Sequence, residues 1–422
     1  MTQTEEPSVA TATSDPSLSP RGALRLIFDP VFGTIFWGKL LSVGGVWVHS
    51  IVSAIVVYQA TGSTLLVGLV SAGQVIPQLI LTPLSGKLAD RGHAAAQILV
   101  GRLVCAIGSG ALAVWFLLVD PGEGALGAVP VLVSSLILGV GFTIGGPALQ
   151  SIIPSIVRPG ELSIAMALNT APLTAARVGG PALGAFVVVH MGPAAAFALA
   201  GALHLVFVAM MIVVRIPSPQ VDLEGADLSV RASLRYVWRD RPLFILLMGI
   251  TAVGFGVEPT VTLSPAIVDQ IGEGPEFIGI LLAVFGIGAT GGLFLHGWIH
   301  RRASPATVAT SGLAMMTVGL AAPALVQTHA VLLLAFALMG LGFSSATSSI
   351  GTLVQERSPD AYRGRIMALW LVGFVGARPL AAALDGALAD HVSVEAALLA
   401  TAAVLAVCTY ACRPSKIGEP RR

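Results

Sequence analysis

The sequence predicts an all-α membrane protein with about 12 transmembrane helices in two pseudo-symmetric six-helix halves. Three observations support this fold class. The chain contains roughly twelve apolar stretches of about 20 to 26 residues, each long enough to cross a bilayer. Hydrophobic residues make up 55% of the 422 residues and charged residues 11%, against about 25% charged in a soluble globular chain. Positive charge also alternates between successive loops.

The Lys and Arg residues lie almost entirely on one side of the predicted membrane. Of the 23 such residues, 21 fall in alternate loops, in the tails or near the helix ends beside them. The positive-inside rule therefore predicts that both termini are cytoplasmic. The remaining two, Arg177 and Arg378, fall within predicted helices. The other loops carry neither Lys nor Arg, at 59–64, 119–129, 190–193, 269–276, 326–329 and 389–393.

Two six-helix halves are predicted from a central polar linker and a weak internal repeat. The tripeptide Met-Ala-Leu at 166–168 recurs at 367–369, and Arg177 and Arg378 are separated by the same 201 positions. A shared offset is typical of parallel repeats in transporters. Residues 228–239 of the linker are expected to form a basic amphipathic helix at the anionic inner leaflet. The predicted domains are a cytoplasmic tail 1–30, a first half 31–216, a cytoplasmic linker 217–241, a second half 242–412 and a cytoplasmic tail 413–422.

Composition and motifs exclude several classes of protein. A net charge of +1 spread over many loops offers no basic stripe, so no nucleic-acid partner is expected. The three cysteines lack metal-ligand spacing, and no Walker-type phosphate loop is present, so we expect no metal, cofactor or enzyme activity. Three Lys against 20 Arg, with abundant Ala, Gly and Val, suggest a GC-rich bacterial source. We therefore expect a multi-pass monomer in the bacterial cytoplasmic membrane, surrounded by lipid.

Ionisable residues in the middle of predicted helices are the first candidates for a functional site. They are His49, Arg177, Glu258 and Arg378. Such a residue costs roughly 2.5 to 3.5 kcal/mol on insertion scales, so it usually faces a cavity or a partner.

Glu258 is the first candidate for proton coupling, because burial disfavours the charged form of a carboxylate. Pro259 follows it and removes a helix hydrogen bond, which predicts a bend at this depth. The alternative is a permanent salt bridge with an arginine of the fifth or eleventh helix. His49 is the second candidate, since imidazole titrates near neutrality. Its alternative role is that of a packed hydrogen-bond partner.

Arg177 and Arg378 stay protonated, so they are candidates for binding a carboxylate, phosphate or catecholate group of a substrate, or for clamping Glu258. Asp385, seven residues after Arg378, is a competing partner for it and is itself a candidate for substrate binding. Further substrate-binding candidates are amide and indole side chains within predicted helices, for which interhelical hydrogen bonding and lipid contact are the alternatives. These residues are Gln74, Gln78, Asn169, Trp47 and Trp370.

Three stretches of the sequence carry recognisable motifs. Residues 86–92 read Gly-Lys-Leu-Ala-Asp-Arg-Gly in the loop between the second and third predicted helices, and two further motif stretches lie at 148–154 and 363–368. In these stretches the chain resembles the major facilitator superfamily, specifically its drug and siderophore exporter branch. The resemblance implies the major facilitator fold, with helices one, five, seven and eleven around a central cavity. It also implies a gating role for Gly86, where close packing is expected, and for Asp90 and Arg91, whose alternative role is that of solvated loop charges.

The resemblance implies a secondary active transporter that exports a small amphipathic molecule, a drug or a siderophore-like metabolite, in exchange for protons by alternating access. The chain departs from the branch in lacking an acidic residue early in the first helix, where it reads Gly-Gly-Val-Trp at 44–47. It also has few basic residues after the loop motif. Two other functions are kept. The two arginines within predicted helices indicate uptake or uniport of an organic anion. The departures from the loop motif indicate a membrane sensor or scaffold that does not transport.

Overall fold

The structure is a computed structural model, and it describes the chain in seven ranges. Within them the regular elements are helices, of which eleven are long and apolar enough to cross a membrane. The gating residues Asp90 and Arg91 of the predicted motif lie outside the described residues. The described ranges are 21–88, 93–119, 125–158, 160–214, 216, 230–299 and 303–418.

The helices are numbered here along the chain. Those of the first half are α1 (Ala23–Ile27), α2 (Pro30–Thr61), α3 (Thr64–Leu88), α4 (Ala94–Leu118), α5 (Ala125–Ser151) and α6 (Leu162–Val214). The linker holds α7 (Val230–Arg239). The second half contains α8 (Arg241–Val257), α9 (Pro259–Thr262), α10 (Ser264–Gln270), α11 (Pro275–Ile299), α12 (Pro305–Leu325), α13 (His329–Arg357), α14 (Asp360–His391) and α15 (Val394–Ala411), followed by α16 (Pro414–Ile417).

The 53-residue α6 is a hairpin of two membrane crossings. Gly192 interrupts it with φ 83° and ψ 171°, a conformation that glycine adopts without strain. A Cβ atom on Gly180 would touch Trp47, while His204 lies against Gly45 on the same stretch of α2. A straight helix would separate positions 180 and 204 by roughly 36 Å. The two arms, 162–191 and 193–214, bring the crossings to the expected twelve within the described part of the chain.

The seventh crossing is divided into α8, α9 and α10. The first break falls at Glu258, directly before Pro259, which has no N–H to donate. Glu258 keeps helical angles (φ −64°, ψ −39°), and its carbonyl oxygen accepts hydrogen bonds from Val261 and Thr262. The helix is interrupted at the position where Pro259 predicts a bend, beside a candidate functional carboxylate.

Segments predicted to lie on one side of the membrane meet at one end of the bundle. Ser63 contacts Asp390, and Tyr58 contacts Asp269. Gln327 donates to Gln270 at 3.0 Å. These contacts join four of the loops that lack Lys and Arg, and we call this end of the molecule the arginine-poor end. The opposite end, which carries Arg21, Arg158 and the linker, is called the arginine-rich end.

The linker contains the predicted helix in shortened form. The expectation was 228–239, and the observed α7 is Val230–Arg239. Residues 217–229 lie outside the described part of the chain. Val237 is buried and Trp238 is exposed, so α7 is amphipathic as predicted. The domain boundaries themselves remain predictions.

Candidate substrate and proton site

A buried ion pair joins α14 to the break between α8 and α9. Arg378 donates from Nε to Glu258 Oε2 at 2.8 Å, and the Glu258 side chain is only 1% exposed. Glu258 lies at the interruption between α8 and α9, within hydrogen-bond distance of Arg378 on α14. A carboxylate buried at this depth is stable in its charged form only with such a partner. Of the two arginines considered from the sequence, Arg378 forms the ion pair with Glu258 and Arg177 does not.

The same carboxylate is linked to the first half of the protein. Ser71 Oγ, on α3, donates a short hydrogen bond to Glu258 Oε1. Thr262 Oγ1 lies 3.4 Å from that oxygen. The Glu258 carboxylate therefore accepts hydrogen bonds from an arginine of its own half and from a serine hydroxyl of the other half. Ser71 was not among the sequence candidates, because nothing in a serine within an apolar helix distinguishes a functional contact from a packing one.

Arg177 lies on the first arm of α6, with its guanidinium carbon 4.8 Å from the ring centroid of Phe343. This is a cation–π arrangement. Among the described residues Arg177 has no carboxylate partner, so its charge is not neutralised by an ion pair. It shares a cavity of about 80 Å³ with Arg378, Trp47 and Phe374. Pockets that bind drug-sized ligands measure about 300 to 1,000 Å³, so this cavity must widen to hold such a molecule.

His49 does not join this site, contrary to expectation. It is fully buried inside the first half, where Nδ1 lies 3.0 Å from Ser109 Oγ and Nε2 lies 3.4 Å from Ser135 Oγ. Phe197 packs edge-on against the ring. Helix rotation explains the difference, because residue 49 is at the right depth but on the face of α2 that points away from the second half.

Asp385 does not balance Arg378 either. Thr401 Oγ1, on α15, donates to Asp385 Oδ1 at 2.5 Å. The carboxyl group is buried, and its Oδ2 has no hydrogen-bond partner among the described residues. Seven residues are about two helical turns, or roughly 10 Å, which is too far for a direct pair along α14. Arg378 meets Glu258 instead.

The amide candidates are separated from one another. Gln74 accepts a hydrogen bond from Ser50 at 2.7 Å within the first half. Gln78 lines a cavity of about 240 Å³ between α3 and α14, which leaves it accessible at the interface of the halves. Asn169 accepts from Lys39 Nζ at 2.9 Å and is buried in the first half. The two tryptophans also differ, since Trp47 lines the central cavity, whereas Trp370 packs against Phe374.

Two cations counted as membrane-surface charges are in fact buried. Lys39 is 5% exposed and Arg102 is 1% exposed. Arg102 Nη1 donates to Ser42 at 2.6 Å, and its guanidinium lies 5.4 Å from the centroid of Phe142. Both positions are about two turns inside an apolar helix. A charged residue at that depth is expected to be buried. The regular alternation of charge between loops favours the membrane surface instead, and for these two residues it is misleading.

The two halves are joined at the arginine-poor end by Asp390, near the last residue of α14. Its Oδ1 accepts the backbone N–H of Thr64 at 2.7 Å, and its Oδ2 accepts from Leu65 N at 3.0 Å and Ser63 Oγ at 2.6 Å. Thr64 and Leu65 are the first residues of α3. The carboxylate therefore caps a helix of the other half and faces the positive end of its dipole.

Close helix packing accompanies this cap. A Cβ atom on Gly386 of α14 would lie 2.6 Å from Leu65 Cα, so a side chain there would force the helices apart. One turn deeper, Gly68 packs against the backbone of Ala382. Small residues permit such approach of membrane helices. At the other end of α3, Gly86 has nothing within 4 Å of its Cβ position among the described residues, so the close packing expected there is not observed.

The arginine-rich end of the first half has its own ion-pair cluster. Arg21 donates from Nε and Nη2 to the two carboxylate oxygens of Glu161, at 2.9 and 2.7 Å, and also contacts Asp29. Hydrogen bonding to Arg21 lowers the pKa of the Glu161 carboxyl to about 2. Asp29 in turn caps α2 by accepting from Val31 and Phe32. The cluster fixes the start of α2 to the loop before α6.

Comparison with known proteins relates the chain to transporters. Residues 22–420 match the model of a family described as transmembrane secretion effector. An enterobactin exporter EntS of Salmonella choleraesuis (strain SC-B67) is 28% identical over 375 residues, covering 85% of this chain and 86% of that protein. EntS of Shigella boydii serotype 4 (strain Sb227) is 27% identical over 375 residues, covering 85% of each.

Solved structures share the fold. A bacterial homologue of the iron transporter ferroportin, in an inward-facing state, superposes with a TM-score of 0.72 at 17% identity, covering 94% of this chain and all of that one. A bacterial homologue of the lysosomal transporter Spinster, inward-facing and occupied, gives 0.72 at 13% identity, with 91% and 96% covered. The resemblance stated from the sequence is therefore confirmed. The chain is a multi-pass membrane transporter that belongs to the transmembrane secretion effector family of the major facilitator superfamily.

Proposed function

We propose that the protein is a secondary active exporter that exchanges a small amphipathic organic molecule for protons by alternating access. The observation that carries this proposal is the Glu258 carboxylate, which is buried, ion-paired with Arg378 and hydrogen-bonded to Ser71 of the other half. Since the family consists of transporters, a sensor or scaffold function has no observation in its favour. The direction of transport and the coupling ion belong to the proposal.

The proposed proton step depends on the two contacts of the Glu258 carboxylate, one with Arg378 and one with Ser71. In the ionised form, the carboxylate holds Arg378 and accepts from Ser71, and the arginine-poor end is closed by the cap at Asp390. Opening of that end exposes Glu258 to the arginine-poor side, where a proton neutralises the carboxylate and releases Arg378. A neutral carboxyl group costs less to bury than a charged one, so protonation favours closing that end again. Proton release to the opposite side restores the ion pair.

The substrate step is assigned to Arg177 and the aromatic side chains beside it. Trp47 and Phe343 offer ring faces, and Arg177 offers a cation without an ion-pair partner among the described residues. This combination suits an amphipathic aromatic molecule with a catecholate, carboxylate or phosphate group. The relatives named enterobactin exporters favour a siderophore-like metabolite over other members of this class.

The orientation of the molecule is part of the proposal. We place the arginine-rich end, with both termini, at the cytoplasmic face of a bacterial inner membrane, in agreement with the positive-inside rule. Reporter fusions at residue 418 and in the loop after α2 test this assignment. Cytoplasmic activity of the first fusion and extracytoplasmic activity of the second are expected, and the reverse pattern overturns the orientation.

The central experiment measures proton movement in proteoliposomes. Purified protein is reconstituted with an entrapped pH dye, and siderophores and amphipathic drugs are added under a pH step. We expect wild type to couple substrate movement to proton movement, and Glu258→Gln to lose the pH response while it still moves substrate down its own gradient. Glu276→Gln is the matched control, since this exposed residue at the start of α11 lies away from the site. A wild type without any pH response overturns proton exchange.

Uniport or uptake of an organic anion is the second candidate function. It is favoured by one observation, namely that two arginines line the central cavity while only Arg378 has a carboxylate partner among the described residues. Under this function the Glu258–Arg378 pair would be permanent. Glu258→Gln would then impair folding or binding without changing the response to pH, and the same proteoliposome assay separates the two functions.

A further inference from the structure

A second, larger cavity lies at the arginine-rich end of the second half. It is an open cleft with a volume of about 970 Å³, lined by residues of α7, the start of α8, the end of α13 and α16. Six of its lining residues are charged, and the positive ones outnumber the negative ones by two. They are Arg239, Arg241, Arg357 and Lys416 against Asp240 and Glu356.

In the ranges that the structure describes, neither carboxylate forms an ion pair with Arg239, Arg241 or Lys416. Asp240 is used as the cap of α8, where its Oδ1 accepts from Leu243 N at 3.1 Å. Within the described part of the chain, Arg239, Arg241 and Lys416 take part in no ion pair, and all three side chains are exposed. Cations grouped around a cavity without ion-pair partners attract an external anion.

The wall of the cavity is held in place. Arg357 Nη2 donates to the carbonyl oxygens of Ile417, at 3.3 Å, and of Gly418. The Ile417 side chain is fully buried, so α16 is anchored from both sides. Tyr236 of α7 stacks on Tyr362 with 5.7 Å between ring centroids. Lys416 on α16 and Arg239 at the end of α7 therefore lie on fixed elements, which lowers the entropic cost of binding a ligand.

Exposed aromatic side chains lie next to this charged cavity. Trp238, adjacent to Arg239, is 76% exposed and packs edge-on against Phe244. Tyr410 is also largely exposed, and Arg413 lies 4.6 Å from its ring centroid. Exposed Trp and Tyr are typical of the boundary between headgroups and acyl chains. The cavity thus combines a cationic interior with an apolar rim at the level of the membrane surface.

We infer that this cavity binds the phosphate headgroup of an anionic phospholipid, with the acyl chains lying beside Trp238 and Phe244. Guanidinium groups match phosphate oxygens in pairs, and the apolar rim suits an amphiphile better than a free anion. The site is distinct from the central cavity, and the inference does not depend on the direction of transport or on proton coupling.

Binding is tested by native mass spectrometry and thermal unfolding of the full-length detergent-purified protein. The probes are phosphatidylglycerol, phosphatidylcholine and glycerol 3-phosphate. We expect phosphatidylglycerol to bind and to raise the unfolding temperature. The double variant Arg239→Gln, Lys416→Gln should lower its affinity about 30-fold, at about 1 kcal/mol for each cation. The matched control is the double variant Arg25→Gln, Arg158→Gln. It removes the same amount of positive charge from the arginine-rich end, but in the first half of the protein.

Each contrary outcome overturns a defined part of the inference. Equal losses in the two double variants would mean that the lipid responds to overall charge and not to this cavity. Equal binding of phosphatidylcholine would exclude selection by the cations. Binding of glycerol 3-phosphate as tight as that of phosphatidylglycerol would assign the site to a soluble phosphate compound. A conservative Arg239→Lys, Lys416→Arg variant should retain binding, which separates lost charge from misfolding.

Discussion

The Asp390 carboxylate at the end of α14 accepts the backbone N–H of Thr64, the first residue of α3, at 2.7 Å. One half of the transporter thereby supplies the helix cap of the other. A cap made within one helix would stabilise that helix alone, whereas this one exists only while the two halves are together at the arginine-poor end. Opening that end must break the three hydrogen bonds to Asp390.

Asp390→Asn is expected to weaken closure of the arginine-poor end. The amide keeps one acceptor oxygen but loses the charge that faces the start of α3, a loss of about 1 to 2 kcal/mol. Amide hydrogen exchange at residues 64 and 65 should become about 5 to 30 times faster. Glu395→Gln at the neighbouring helix start serves as a local control. Unchanged exchange at residues 64 and 65 would show that the cap does not hold the end closed.

Gly386→Val should open the arginine-poor end, because its side chain would clash with α3. Its Cβ would lie 2.6 Å from Leu65 Cα, so α3 and α14 must separate, at a cost of about 1 to 3 kcal/mol. The unfolding temperature should fall, and exchange at residues 64 and 65 should rise as in Asp390→Asn. Gly351→Val, on α13, is the matched control because no atom of the described residues lies within 4 Å of its Cβ position. Equal effects of the two substitutions would refute the steric explanation.

The Arg21–Glu161 pair should make stability depend on pH in the acidic range. The pKa of the Glu161 carboxyl falls from 4.5 to about 2 in the folded protein, mainly through hydrogen bonds from Arg21. Its contribution of roughly 3 kcal/mol is therefore complete above pH 4.5 and is lost as the pH falls from 4.5 towards 2. Glu161→Gln should lower the unfolding temperature at pH 7 and flatten its fall in this window. A parallel pH profile in wild type and variant would contradict this.

Asp385→Asn should leave proton coupling intact. The Asp385 carboxyl receives one hydrogen bond, from Thr401, and its other oxygen has no partner among the described residues. An amide of the same shape needs no countercharge, so the variant should fold with a stability change under about 1.5 kcal/mol. In the proteoliposome assay it should respond to a pH step like wild type. If this variant lost the pH response while Glu258→Gln retained it, Asp385 and not Glu258 would be the residue that carries the proton.

Much of the fold could be predicted from the sequence because bilayer thickness sets the length and polarity of each crossing. The break at Glu258 was also predictable, since Pro259 cannot donate the helix hydrogen bond. The α6 hairpin follows from Gly192 within an apolar run of 53 residues, twice the length that one crossing needs. These are local properties, which depend on the residue types in one stretch and not on the position of the other helices.

Only the tertiary structure decided which buried groups meet. The depths of His49, Asp385 and Arg378 could be read along the chain, but the rotation of each helix about its axis could not. That rotation directs His49 into the first half, Asp385 towards Thr401 and Arg378 towards Glu258. The cap between Asp390 and Thr64 joins residues 326 positions apart, and no sequence pattern marks it. The sequence by itself determined where the chain crosses the membrane, whereas helix packing determined which charges are paired and which remain open to a ligand.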